Sequence, residues 1–170
     1  MGGNQYGGQR IARKHVIHMA DMFHSACMPV VVKYTIAGSY RRGKEDSGDI
    51  EMIYIIESET QRLDTEAAMG KTFGYCTSTV GVRHSGLWGS VQFDCFLAYP
   101  HALGAMLLHC TGSGLFNIKM RARAKARGWT LNQYGIFYTI TGIPVMISPN
   151  EEDFFKVLEM DYIKPEDRNI

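Results

Sequence analysis

Residues 38–51 read Gly38-Ser39-Tyr40-Arg41-Arg42-Gly43-Lys44-Glu45-Asp46-Ser47-Gly48-Asp49-Ile50-Glu51, and the fold turns on this stretch. Residues 30–36 before it are compact and β-branched, which suits a strand. Gly38-Ser39 breaks that strand, and residues 40–44 follow as a short helix whose start faces the strand's end. Glycine at such a turn lets backbone amides approach an anion closely, and a helix start favours negative charge. Ser39 can donate its hydroxyl there, and Arg42 can grip phosphate oxygens in a fork. Residues 49–56 then return as a second strand, with Asp49, Glu51 and Ile53 on one face and Ile50, Met52 and Tyr54 on the other. Two carboxylates two residues apart on a strand share a face, roughly 7 Å apart along it.

A third carboxylate lies further on. Asp94 sits inside Val91-Gln92-Phe93-Asp94-Cys95-Phe96-Leu97, an otherwise apolar strand where an acid is costly without a cation or donor beside it. Three acids on one sheet face suit hard divalent cations, above all Mg²⁺. Two such ions about 4 Å apart can activate an attacking hydroxyl and steady a leaving pyrophosphate. The same spacing also fits a structural reading, with Asp49 and Glu51 as edge-strand solubilisers and Asp94 in a buried salt bridge.

Around these motifs the pattern alternates. Ile11, Val16, Met19, Ala20 and Phe23 recur at helical spacing, predicting a helix over 9–27 that ends before Pro29. Residues 58–70 read as a helix capped by Ser58 and stopped by Gly70, and 72–82 and 90–99 as strands. Pro100 opens a helix through 108, and residues 113–127 form another that ends at Gly128 in the C′ position. Short strands over 129–145 and a helix over 151–158 complete the chain. This is an α+β fold: a small mixed or antiparallel sheet with helices on one face, then a small C-terminal α+β subdomain. The expected divisions are a flexible leader over 1–8, a first unit over 9–99 and a second over 100–170.

The residues now carry a resemblance. Gly38-Ser39-x-Arg41-Arg42-Gly43-Lys44-Glu45-x-Ser47-Gly48-Asp49-Ile50-Glu51 resembles the nucleotidyltransferase signature of the family X DNA polymerases. The likeness continues in Thr111-Gly112-Ser113-x-x-Phe116-Asn117-x-x-Met120-Arg121, in Leu131-Asn132-Gln133-Tyr134-Gly135 and in Tyr162-x-x-Pro165-x-x-Arg168. It implies a catalytic palm over 9–99 and a nucleotide-selecting subdomain over 100–170, with template-directed addition of dNTPs to a primer in short gaps during DNA repair. By this resemblance Asp49, Glu51 and Asp94 are catalytic and bind two Mg²⁺ ions, with Mn²⁺ as a substitute. Gly38, Ser39, Arg42, Ser47 and Gly48 would hold the triphosphate, and His109, Thr111, Gly112 and Asn117 the sugar and base. Arg121 would meet the template, Tyr134 would support its helix, and Gly112-Ser113 would be a cis peptide. The short chain resembles the minimal viral members, since about 37 residues before Gly38 leave no room for a lyase domain or a helix-hairpin-helix clamp. Two departures stand out. Most relatives have aspartate where Glu51 stands, and the extra methylene pushes its carboxylate outward. Where the family has Tyr-Phe at the sugar, this chain has His109-Cys110, which implies weak discrimination against ribonucleotides.

The 170 residues are 45% hydrophobic with a formal charge of +1, which excludes a disordered chain and one basic throughout. Basic footprints are local. Lys119, Arg121, Arg123, Lys125 and Arg127 place five cations in nine residues with no acid, beside Arg13 and Lys14 on the first helix, and these are the expected DNA contacts. The last 21 residues hold seven acids against three bases and should lie away from the duplex. No apolar run spans a bilayer, and the first ten residues lack a signal-peptide core. The expected partners are therefore gapped or primer-template DNA and dNTP, with no membrane, for a monomer. The four cysteines show no CxxC pair, which suits free thiols in a reducing compartment such as the cytoplasm, and the resemblance implies a viral or prokaryotic origin. His15 and His18 are three apart with no third ligand, which suits surface histidines. Two further readings share the motifs: a nucleotidyltransferase for an RNA end, a protein or a small molecule, and a catalytically silent DNA-binding module.

Overall fold

The computed structural model describes residues 9–28, 32–73 and 83–170. In chain order these form β1 (Ile11–Ala12), α1 (Arg13–Cys27), β2 (Lys33–Ile36), α2 (Gly38–Arg41), β3 (Asp46–Ser47), β4 (Ile50–Ile55), α3 (Glu59–Phe73), β5 (Arg83–Trp88) and β6 (Val91–Ala98). A 3₁₀ turn (Pro100–Ala102) leads into α4 (Leu103–Thr111), followed by α5 (Gly114–Lys125), β7 (Trp129–Asn132), β8 (Gly135–Tyr138), β9 (Pro144–Met146) and α6 (Glu151–Val157). A second 3₁₀ turn (Pro165–Arg168) closes the chain.

The main sheet has the order β2-β4-β6-β5. Its central pair, β4 and β6, is parallel, and both outer pairings are antiparallel, so the sheet is mixed. One face carries Ile50, Met52 and Tyr54 of β4 with Val91, Phe93, Cys95 and Leu97 of β6, all buried against Val16, Ala20 and Phe23 of α1 and Met69 of α3. Phe23 stacks on Phe93 with ring centroids 4.1 Å apart and on Phe73 at 5.6 Å. The period-two alternation read from β4 is thus a true division of faces. On the opposite face Ile53 and Phe96 meet Met106 and Cys110 of α4. The α+β architecture agrees with the sequence, with helices on both faces in place of one.

A separate core joins α4, α5, α6 and the small β7-β8-β9 sheet around Leu108, Phe116, Met120, Ile136, Phe154 and Phe155. The peptide between Gly112 and Ser113 is cis. No helix among the described residues is long and apolar enough to cross a membrane.

Several expected boundaries move. The first helix starts at Arg13 because Ile11 and Ala12 pair with Ser47 and Asp46, an interaction no local pattern records. Gly70 does not stop α3. The helix runs on to Phe73, whose ring packs against Phe23 and over Gly86 of β5, where a Cβ would collide with it. Burial of that ring outweighs one helical glycine. Thr72 and Phe73 are therefore helical, and the rest of the strand expected over 72–82, from 74 on, lies outside the described residues, as do the leader and residues 29–31. The helix expected over 40–44 begins earlier, at Gly38, and ends at Arg41.

Candidate active site

Parallel pairing of β4 with β6 sets Glu51 directly opposite Asp94, and Asp49 lies just ahead of β4 on the Glu51 side. Neighbouring strands are about 4.8 Å apart, so the register alone brings these acids together. All three line one cavity of about 640 Å³ with Ser39, Arg42, Arg83, Gln92, His109, Gly112 and Asn117. The outward reach expected of the longer Glu51 side chain takes a definite form. Its carboxylate lies over Gly38, where a Cβ would overlap it, so the turn must be glycine, and Gly38 holds a positive φ of 59°. No side chain among the described residues donates a hydrogen bond to Glu51, and its pKa is pushed up to about 8 by burial and then by Asp49 and Asp94. Burial and the charge of Asp94 raise Asp49 as well. Three carboxylates thus face two guanidinium groups, Arg42 and Arg83, in one cavity. This oxygen-only, electron-rich donor set fits hard divalent cations.

The cage is not closed in this arrangement: among the described residues no three acidic, histidine or cysteine side chains converge on one ion position. Asp94, whose side chain is 7% exposed, is paired within the protein. Arg83 donates from Nη2 to its Oδ2 at 2.7 Å, and Gln92 donates from Nε2 to its Oδ1 at 3.4 Å. The buried salt bridge weighed from the sequence is present, and it sits inside the shared cavity.

One side of the cavity is built by α2 and the residues just after it. The Ser39 hydroxyl donates to Ser47 Oγ at 2.8 Å, and Gly48 continues from the buried Ser47 to Asp49. Arg42 donates from Nη1 to the Thr111 carbonyl and from Nε to Asn169 Oδ1 at 3.1 Å, while Asn169 Nδ2 returns a bond to the Arg42 carbonyl at 3.0 Å. Two of its three nitrogens are held by protein, and Nη2 keeps its donors. Next door, Arg41 reaches Thr111 Oγ1 and both oxygens of Glu151, which also accepts from the fully buried Arg168 at 2.6 Å.

Another side comes from α4 and α5. Asn117 donates to the His109 carbonyl at 2.7 Å, and Arg121 Nη2 lies 3.1 Å from His109 Nδ1. Burial, then Arg121 and Arg83, lowers the His109 pKa to about 4, so its ring is neutral at pH 7 and Nδ1 can accept from Arg121. Gly112 and Gly114 leave the floor between them open.

The expected DNA-contacting cations separate. Lys119 and Lys125 are exposed on α5, and Lys14 is exposed on α1. Arg123 instead donates to the carbonyls of Leu158 and Glu159 at 2.7 Å each, and Arg127 pairs with Glu159 at 2.8 Å, so both close the end of α6. Arg13 lies over the Tyr40 ring and donates to the Tyr40 carbonyl, which fastens α1 to α2. Tyr134 is exposed and lines a different cavity with Tyr99, Met106 and Ile147. The sequence reading left out Arg83, Gln92, Glu151 and Asn169. Gln92 was findable, being two residues from Asp94 on the same face. Arg83 was not, because only the β5–β6 pairing brings it to Asp94.

Comparison with known proteins gives a consistent picture. Residues 10–82 match the family model described as DNA polymerase beta palm, and residues 106–169 the one described as DNA polymerase beta thumb. The two matches flank the segment that holds Asp94. The chain is 27% identical over 168 residues to a protein of African swine fever virus named Repair DNA polymerase X, covering 95% of this chain and 96% of that one. It is 29% identical over 175 residues to the Bacillus subtilis DNA polymerase/3'-5' exonuclease PolX, covering 94% of this chain and 27% of that protein. Among solved structures it resembles Leishmania infantum polymerase beta in a ternary P/T complex, with a TM-score of 0.73, 22% identity, and coverage of 95% of this chain and 77% of that one.

Proposed function

The chain belongs to the family X DNA polymerases, and from that premise we propose that it is a DNA-directed DNA polymerase that adds dNTPs to a primer 3′-hydroxyl in short gaps during repair. One observation carries the reading: Asp49, Glu51 and Asp94 share a cavity whose rim is the Gly38-Ser39 turn and Arg42. Family X polymerases are metal-dependent, and in this chain the three carboxylates would hold two Mg²⁺ ions, with Mn²⁺ able to substitute. Bound there, divalent ions supply positive charge at the triphosphate and at the attacking oxygen.

The protein's own residues do the rest by position and charge. Arg42, clamped through Nε and Nη1, presents Nη2 to phosphate oxygens. Ser39, whose hydroxyl donates to Ser47 Oγ in this structure, would turn that proton to a phosphate oxygen. Asn117 and Arg121, fixed on His109, face the nascent base pair. Exposed Lys119, Lys125 and Lys14 hold the DNA backbone. Residues 9–99 act as the palm and 100–170 as the nucleotide-selecting subdomain of a cytoplasmic monomer.

Primer extension across a one-nucleotide gap, with each template base in turn, tests this reading. The expected product carries the complementary deoxynucleotide, and Asp94→Asn abolishes it while leaving the fold intact. Addition that ignores the template base would point to another acceptor, and absence of Mg²⁺-dependent pyrophosphate release would leave only a binding module. Ribonucleotides, offered in parallel, should be accepted because His109-Cys110 leaves the sugar side open.

A further inference from the structure

Asn169 is exposed, yet both polar atoms of its side chain are engaged. Its Nδ2 donates to the Arg42 carbonyl at 3.0 Å and to the Glu166 carbonyl at 2.9 Å, and its Oδ1 accepts from Arg42 Nε at 3.1 Å. One amide thus holds the backbone and the guanidinium of the same arginine, which closes a ring around the flexible stem between them. The other edge of the guanidinium is fixed by the Thr111 carbonyl, which accepts from Nη1. Asn169 is itself steadied from beneath. It follows a 3₁₀ turn ending at the fully buried Arg168, whose Nη1 donates to Glu151 Oε1 at 2.6 Å. An exposed side chain gains little by burial, so what these bonds constrain is Arg42.

The choice of partners matters electrostatically. Arg42 lines the same cavity as Asp49 and Glu51, and both carboxylates attract its charge. Yet among the described residues its guanidinium is bonded to an amide oxygen and a peptide carbonyl, both neutral, and to no acid. A neutral acceptor fixes a guanidinium without cancelling its charge, which stays available to an anion. A freed guanidinium would swing towards the two acids and be neutralised there before a triphosphate arrived. We propose that Asn169 is a positioning residue for the incoming nucleotide, holding Arg42 in its phosphate-binding rotamer and off the acid pair, so that docking of residues 166–170 on Arg42 sets triphosphate affinity. The proposal rests on reading this cavity as the polymerase centre. The same segment also reaches the Gly112-Ser113 turn, since the Ser113 amide and hydroxyl donate to the carbonyls of Arg168 and Ile170 at 3.4 and 2.9 Å. One short strap therefore touches two sides of the cavity. By linkage, a bound triphosphate favours the docked strap as much as the strap favours the triphosphate.

The test is calorimetric titration with dGTP on a one-nucleotide-gapped duplex that presents a template cytosine and a dideoxy-terminated primer, so that binding is read with no nucleotide transfer. Asn169→Ala should raise the dGTP Kd about fivefold, because binding must then immobilise a long side chain that is already ordered in wild type. Its melting temperature and its affinity for the duplex should stay near wild type, as for most surface substitutions. Arg42→Lys, which has no fork for Asn169 to hold, should weaken dGTP by itself, and adding Asn169→Ala to it should change nothing further. Equal dGTP Kd for wild type and Asn169→Ala overturns the proposal, and so does a loss that persists in the Arg42→Lys background. If Asn169→Ala does not fold, hydrogen exchange of wild type over residues 163–170 decides the matter. Adding dGTP to the blocked duplex complex should slow that exchange, and no slowing counts against the proposal. The two readings fail separately. A wild type that binds no dGTP on the blocked duplex fails as a polymerase, whereas one that binds dGTP with an affinity indifferent to Asn169 fails only here.

Discussion

Glu51 concentrates the site's electrostatics in one side chain. Its pKa lies near 8 in the folded protein against 4.5 for a free glutamate, because burial and two neighbouring acids disfavour its charge. The folded state therefore binds more protons than the unfolded one between those values. This contribution to stability is fully present below about pH 4.5 and is lost as pH rises towards 8. Glu51→Gln should remove the loss, stabilising the metal-free protein by about 4 kcal/mol at pH 8 and by about 1 kcal/mol or less at pH 5. Thermal melts of both proteins in chelator at the two pH values measure this. Gly38 belongs to the same residue-scale logic: Gly38→Ala drives a Cβ into the Glu51 carboxylate and should abolish extension in the gap assay, because turn and carboxylate cannot both keep their places. The same-face pairing of Asp49 and Glu51 was legible from a spacing of two. The partner of Asp94 was not, since nothing within several residues of it is a cation.

At the scale of the element, α5 shows how a run of like charges divides. Ser113 caps it by accepting from the Phe116 amide at 3.3 Å, and Phe116, Met120 and Ala124 bury one stripe. The five cations alternate around the remaining surface, so they cannot share one role. Arg123 and Arg127 meet the carbonyl end of α6, where positive charge is favoured, and Lys119 and Lys125 keep solvent. Lys119→Ala/Lys125→Ala should weaken gapped-duplex binding and reduce the slope of log K against log salt by up to about 2, with no change in melting temperature. Arg123→Ala should leave that slope alone and cost about 1–2 kcal/mol of stability, read by denaturant titration. The cluster was visible in the sequence, but its division depends on where α6 ends.

For the whole molecule, the two halves meet through a buried ionic chain. Arg41 of α2 binds Glu151 at the start of α6, and Glu151 binds Arg168, which is fully buried beneath the rings of Phe116, Phe155 and Tyr162. Burial alone would raise the Glu151 pKa, but the bonds from Arg168 and Arg41 outweigh it and the group stays charged. The tail continues the link, with Asn169 on Arg42 and the Ile170 carbonyl accepting from the Ser113 hydroxyl. Removing one partner of such a chain strands a buried charge, so Arg168→Leu should cost about 3–5 kcal/mol in chemical unfolding. The sequence marked Arg168 as the end of a motif and assigned it no task. Its burial depends on a carboxylate 17 residues earlier in the chain and three rings gathered around it.

By itself the sequence determined what repeats within a few residues: which face of β4 is apolar, that Asp94 lies in an otherwise apolar strand, that Gly38-Ser39 turns the chain beside a pair of acids, and that a helix opens at Ser113. These follow from the fixed geometry of strands and helices, which converts spacing into direction. Only the tertiary structure decided the register that faces Glu51 with Asp94, the guanidinium that pairs with Asp94, the cations of α5 that bond the end of α6, and the charge chain from Arg41 to Arg168. Each of these joins residues far apart along the chain, and strand register and side-chain burial are set by the sum of many distant contacts.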